Sequence, residues 1–168
     1  MIFGDFEYTI PGYYEKEQSG DPNNYLYVVE NRNSGAVLLF LSVNMYADHP
    51  EYVSMLSNND SLINQNMDMI NSGLDKPLEE YIMSELNNIN ARQISFISNG
   101  EMGGLKTKKY SFSTYFDEIG DANGLCVGAF DIYSGKVYFV ILLETDNSKK
   151  NYIDDFDKIV ASGVFKGK

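Results

Sequence analysis

Residues 125–133 and 136–144 are two long, mostly apolar runs joined by nothing more than Ser134-Gly135. This hairpin limits the fold more than any other feature. A two-residue connection forces the flanking strands to pair antiparallel. Both runs also carry apolar residues at successive positions, whereas an ordinary antiparallel strand alternates because one of its faces is wet. The sheet must therefore be covered above and below. Residues 36–43 repeat the pattern, with Val37, Leu39 and Leu41 on one face and Leu38 and Phe40 on the other. The expected class is α+β: an antiparallel β-sheet with helices on both faces, a three-layer α/β/α sandwich.

The remaining segments supply the other strands and the covering helices. Phe6, Tyr8 and Ile10 alternate with Asp5, Glu7 and Thr9 in a strand that Pro11-Gly12 turns. Residues 18–24 are all turn chemistry, 25–30 read as a tyrosine- and valine-rich strand, and 31–35 as a hairpin turn. After Arg92 come a strand over 94–98, a glycine-rich turn and a strand over 106–116. In the last of these Tyr110, Phe112 and Phe116 alternate with Lys109, Ser111, Ser113 and Tyr115, which places it near a sheet edge. The middle third changes period. Ile63, Met67, Ile70 and Leu74 form one helical stripe with Ser61 as N-cap, and Leu78, Ile82, Leu86 and Ile89 form a stronger one. Pro77 is expected to start that second helix, with Glu79 and Glu80 set against its dipole. Residues 50–56 fit a short helix or a loop equally. Tyr152, Ile153, Phe156, Ile159 and Val160 make one face of a terminal docking helix that stops at Gly163. With 43% hydrophobic residues, no repeat and no linker, residues 1–168 are expected to form a single domain.

Charge and rare residues exclude several function classes. Lys and Arg number 13 against 24 Asp and Glu, a net charge of −11, and that field repels phosphate backbones and anionic membrane surfaces. Nucleic-acid binding is not expected. No run approaches the roughly 18 apolar residues of a membrane span, and residues 1–7 lack the basic-then-apolar order of a signal peptide. The expected location is cytoplasmic, or extracytoplasmic if an export leader or lipid anchor has been removed. One cysteine, Cys126, leaves no intramolecular disulfide and no cysteine zinc cluster. One histidine, His49, leaves no two-histidine metal site and no ready triad. Cys126 stands in a strand between Leu125 and Val127 and reads as a small hydrophobe rather than a nucleophile.

Three groups of residues are candidates for contact with something else. Tyr13, Tyr14 and Tyr27 belong to a concentration of tyrosine near the first strands, and tyrosine is enriched at protein interfaces. Lys106, Lys108 and Lys109 follow Gly100, Gly103 and Gly104 and offer an anion or an acidic partner a cationic edge, although the spacing is not that of a P-loop. Asp117, Glu118 and Asp121, with Asn123, crowd one turn with the hard oxygen ligands that calcium or magnesium takes, outside any EF-hand pattern. Turn formation explains the same residues without an ion. Asp154, Asp155 and Asp157 read as the solvated face of the last helix.

An opening strand closed by Pro11-Gly12, a tyrosine-rich hairpin, a helical middle, a strand meander, the Tyr133-Ser134-Gly135-Lys136 hairpin and a terminal amphipathic helix together resemble the PsbP-like fold. The resemblance spans nearly the whole chain and rests on element order, not on a signature motif. Members of that superfamily are mainly accessory binding proteins: an extrinsic photosystem subunit, a nuclear factor that binds a Ran-type GTPase, and bacterial lipoproteins. The resemblance therefore implies a non-enzymatic, protein-binding module without a cofactor. Two other readings stand beside it. One is a carboxylate- or metal-dependent small-ligand-binding protein or enzyme using the Asp117–Asp121 turn. The other is an acidic mimic of nucleic acid that blocks a basic enzyme.

Overall fold

The computed structural model describes residues 1–21, 24–31, 36–48, 67–117, 120–145 and 152–166. Ser61, Ile63, His49, Glu118, residues 50–56 and the 32–35 part of the expected hairpin turn lie outside them. Seven strands form the main sheet in the order β3 (Glu15–Asp21), β4 (Asn24–Asn31), β5 (Ala36–Asn44), β9 (Lys136–Thr145), β8 (Gly120–Asp131), β7 (Leu105–Phe116) and β6 (Arg92–Met102). Every neighbouring pair is antiparallel. A second, three-stranded sheet joins β1 (Ile2–Phe3), β2 (Phe6–Glu7) and β10 (Val164–Phe165). Among the described residues the helices are α1 (Met45–Asp48), α2 (Met67–Asn88) and α3 (Ile153–Ala161). The fold is thus mostly antiparallel β with a few helices.

The hairpin that dominated the sequence sits at the centre, with β9 fourth of the seven strands. Its residues divide by parity, as a pleated strand requires. Tyr138, Val140 and Leu142 are buried in one cluster with Phe3, Phe6, Leu38, Phe40, Phe156 and Ile159. Val137, Phe139, Ile141 and Leu143 are buried in the other with Leu78, Ile82, Leu86 and Cys126. The first cluster holds α3 together with residues of the small sheet, and the second holds α2. β5 is fully buried on only one side: Leu38 and Phe40 are 0% exposed, while Val37, Leu39 and Leu41 are partly buried against the second cluster.

Tight turns fix the hairpin's register. Asp131 accepts from the backbone N–H groups of Tyr133 (3.0 Å) and Ser134 (3.2 Å) and from the Ser134 hydroxyl (2.5 Å). Gly135 takes φ +69, and a Cβ there would lie 2.1 Å from the Tyr46 ring. The site needs glycine on both counts. Asn44 caps α1 by accepting from the N–H groups of Tyr46 and Ala47.

Four expectations are corrected here. The connection between β8 and β9 is the four residues 132–135 rather than two, because Asp131 pairs with Lys136. Residues 18–21 belong to β3, paired with β4, rather than to a turn. Pro77 does not begin a helix, because α2 runs from Met67 to Asn88 straight through it. A proline inside a helix forfeits one hydrogen bond and crowds the carbonyl four residues back. The buried stripe of Leu78, Ile82 and Leu86 holds the helix regardless of that local cost. On α3, Ile153 is 43% exposed while Asp155 is only 9% exposed, the reverse of the expected assignment.

Candidate functional site

The first turn of α3 meets the N-terminal segment and the end of β9 in a cluster of tyrosines and carboxylates. Tyr13 is 44% exposed, its hydroxyl donates to Asp155 Oδ2, and its ring lies 5.1 Å from that of Tyr14. Tyr14 is buried, 6.3 Å from the Tyr152 ring, and its hydroxyl makes no hydrogen bond with the described residues. Burial, with the Asp155 charge next in importance, pushes the Tyr14 hydroxyl well above its ordinary pKa. Glu144, on β9, accepts the Tyr152 N–H at 2.6 Å and so anchors the start of α3.

Glu144 titrates upward from its ordinary value of 4.5. Burial is the main cause, the Tyr152 N–H works against it, and Asp155 adds to it. A carboxyl whose folded-state pKa is raised binds more protons folded than unfolded, so stability falls as pH rises from the ordinary value through the raised one. Glu144→Gln keeps an acceptor for Tyr152 and removes the charge. Urea unfolding at steps from pH 4 to pH 7 is expected to show the variant gaining on wild type as pH rises, by less than about 1 kcal/mol for a group only half-buried. A difference constant across that range contradicts the assignment. Asp5 has the opposite sign. The Tyr138 hydroxyl (2.5 Å) lowers its pKa against the effect of burial, assisted by Lys136 Nζ at 3.0 Å, so its contribution is lost as pH falls.

Beside Glu144 the sheet face is not covered by α3. A cavity of about 280 Å³ is lined by Gln93, Ser111, Ser113, Asn123, Glu144 and Ile153 among others. A second, of about 440 Å³, shares Gln93, Ser113 and Asn123 and extends to Arg92, Tyr115 and Asp121. Register explains the row: Ser113 faces Asn123 across β7 and β8, and Asn123 faces Glu144 across β8 and β9. Gln93, at the wall of both cavities, has φ +50, a conformation that costs a non-glycine residue about 1 kcal/mol or more.

The predicted site residues fall in different places. Tyr13 is exposed and Tyr14 buried, so the pair does not present one surface. Tyr27 is placed as a β4 backbone position in register with Gln18 and Phe40. Lys108 pairs with Asp75 of α2 at 3.1 Å and stands over the Phe96 ring. Lys109 pairs with Asp157 of α3 at 2.5 Å and stands over Phe156. Being consecutive, the two lysines tie β7 to the helices on its two faces. Lys106 is exposed and lines a cavity of about 270 Å³ with Glu101, Asp131 and Tyr133. Asp117 and Asp121 are both exposed, Asp121 in register with Tyr115. Among the described residues no three of His, Cys, Asp and Glu come together as a metal site. Cys126 is fully buried and burial drives its thiol pKa up, away from the thiolate a nucleophile needs. No described helix is long and apolar enough to cross a membrane.

Asp155, Glu144 and Gln93 were not foreseen as part of a site. Asp155 follows Tyr152 by three residues and precedes Ile159 by four, a spacing that sets it on the buried stripe's flank. Glu144 closes an otherwise apolar run. Nothing in the sequence marks Gln93.

No family model matches the chain, and no curated protein matches it by sequence. Solved structures do. The chain is similar to the solution structure of cyanobacterial PsbP (CyanoP) from Synechocystis sp. PCC 6803, with a TM-score of 0.52 and 11% identity over 96% of this chain and 86% of that one. It is also similar to LpqN, described as involved in cell envelope biogenesis of Mycobacterium tuberculosis, with a TM-score of 0.44 and 13% identity over 96% and 83% of the two chains. At such identities the likeness concerns architecture alone, and the architecture is the one the order of elements led to: the chain has a PsbP-like fold.

Proposed function

We propose that the domain is a non-enzymatic accessory module that binds another protein through the surface around the first turn of α3. The observation that carries this reading is the exposure of Tyr13 and Ile153, 44% and 43%, with Ile153 at the wall of a cavity of mixed polar and apolar lining on the sheet face. Tyrosine is among the residues most enriched at the centres of binding surfaces. The chain's acidity, with Asp154 and Asp157 exposed on the same helix, suits a partner that brings basic groups to the rim. In our reading the scaffold has three layers, with α2 over one sheet face and α3 with the small sheet over the other, and this fixes the surface rigidly. An extracytoplasmic setting fits such an accessory role as well as a cytoplasmic one.

The test is capture of partners by the tagged chain from its host, with and without Tyr13→Ser combined with Ile153→Ser. The double variant is expected to lose the captured protein by at least about tenfold, as hot-spot truncation does, in capture carried out well below its melting temperature, which the loss of the Tyr13–Asp155 hydrogen bond lowers by several degrees. Undiminished capture removes this surface from consideration. The Asp117–Asp121 turn gives a second reading as a cation or small-ligand site, and a calcium or magnesium titration that shifts the melting temperature would favour it.

A further inference from the structure

The main sheet ends in two unlike edges. β3 reads Glu-Lys-Glu-Gln-Ser-Gly-Asp, and charge at that density is how natural sheets keep a further strand from adding. β6 reads Arg-Gln-Ile-Ser-Phe-Ile-Ser-Asn-Gly-Glu-Met. It is the longer of the two, 11 residues against 7, and it has neither lysine nor proline. Its charges stand only near its ends, at Arg92 and Glu101, and its middle holds Phe96 and Ile97, 52% and 46% exposed. Every residue from Ser95 to Glu101 is exposed. Among the described residues β7 is its sole strand neighbour, so the backbone groups on its outer side are open to pairing.

We propose that β6 is a homodimer edge, to which a second copy of this chain adds antiparallel about a two-fold axis near Phe96 and Ile97, making one continuous sheet. The charges select a second copy over an unrelated strand. Antiparallel self-pairing brings the Arg92 end of each copy to the Glu101 end of the other, and neither residue has an ion-pair partner among the described residues. The strand is itself neutral, so a chain of net charge −11 meets itself where like-charge repulsion is least. Phe96 and Ile97 then meet their own equivalents at the axis, where hot spots concentrate. β6 pairs with β7 through register shifts between Arg92 and Ser95 and between Phe96 and Ser98. Such bulges add twist and disfavour flat, indefinite stacking, whereas a strand carrying the same bulges has the same twist. The contact is isologous and the opposite edge is charged, so assembly closes at two copies.

The test is sedimentation of the full chain from about 1 µM to about 1 mM, a range that covers weak homodimers. The mass is expected to rise from 19.0 kDa to twice that and no further. Arg92→Glu or Glu101→Arg alone is expected to raise the dissociation constant at least about tenfold, the effect of one repulsive contact, and the two together to restore it. Ile97→Lys, at an exposed position that leaves folding intact, is expected to give a monomer. A monomer at every concentration, growth beyond two copies, or a double charge reversal that fails to restore pairing overturns the proposal.

Discussion

Phe156→Ala is expected to lower the free energy of unfolding by about 3–5 kcal/mol, the usual cost of emptying a buried aromatic site. The ring is 0% exposed and packs in the cluster that includes Tyr14, Val140, Leu142 and Tyr152. It also lies under the Lys109 ammonium at 5.7 Å, whose pairing with Asp157 crosses from β7 to α3. α3 has only 9 residues, too few to persist as a helix without packing, so Phe156 and Ile159 hold it in place. The consequences spread from there. Asp155 receives the Tyr13 hydroxyl and Glu144 receives the Tyr152 N–H, so a loosened α3 also releases the segment that presents Tyr13. For a chain of this length a melting temperature lowered by on the order of 10 °C follows. Ile153→Ala on the same helix is expected to stay within about 0.5 kcal/mol, because the side chain is 43% exposed. Equal costs at the two positions would falsify the docking described for α3.

The central hairpin was legible because a short connection joins two runs apolar at consecutive positions, which calls for antiparallel strands buried on both faces. The parity of β9, with Tyr138, Val140 and Leu142 in one cluster and Val137, Phe139, Ile141 and Leu143 in the other, is its direct consequence. The placement of residues 106–116 near an edge was legible for the same reason, since Ser111 and Ser113 alternate with Tyr110 and Phe112. β7 is indeed next to the last strand. Pro77 misled because a strong local rule met stronger tertiary packing. The small sheet escaped notice because strands of 2 residues carry too little periodicity to register.

The site was legible only in part, and the failures share a cause. A residue type reports what a side chain is able to do, not what it already touches. Lys108 and Lys109 read as free cations, yet Asp75 and Asp157, each distant in sequence, occupy them. Asp155 read as solvated because its neighbours Asp154 and Asp157 are, while one helical turn suffices to carry it beneath Tyr13. Tyr13 and Tyr14 are adjacent in sequence and differ in exposure from 44% to 5%, since the Tyr14 ring packs in the buried cluster with Tyr152 and Phe156 while the Tyr13 ring lies 5.1 Å from it at the surface.

Gly124 and Gly128 flank Cys126, and glycine inside a strand marks a bulge or a close approach of packed groups. The structure selects packing. A Cβ at Gly124 would lie 2.2 Å from the Phe112 ring, and one at Gly128 would lie 2.6 Å from Ile82 Cγ1 and 2.7 Å from its Cδ1. Ile82 is 0% exposed, so α2 rests on β8 through a contact that leaves no room for a methyl group. Gly128→Ala is therefore expected to cost about 1–3 kcal/mol by overpacking, and Ile82→Ala about 2–5 kcal/mol by opening a cavity. The new methyl group at 128 occupies volume that the shortened side chain at 82 vacates. The double variant is accordingly expected to be more stable than the sum of the two single losses by at least about 1 kcal/mol, a coupling that a double-mutant cycle by urea unfolding reads directly. Gly12→Ala supplies the control, because a Cβ there meets nothing within 4 Å and the cost stays within about 0.5 kcal/mol. Strict additivity at 82 and 128 would place α2 elsewhere than against β8, and with it the face on which Cys126 is sealed.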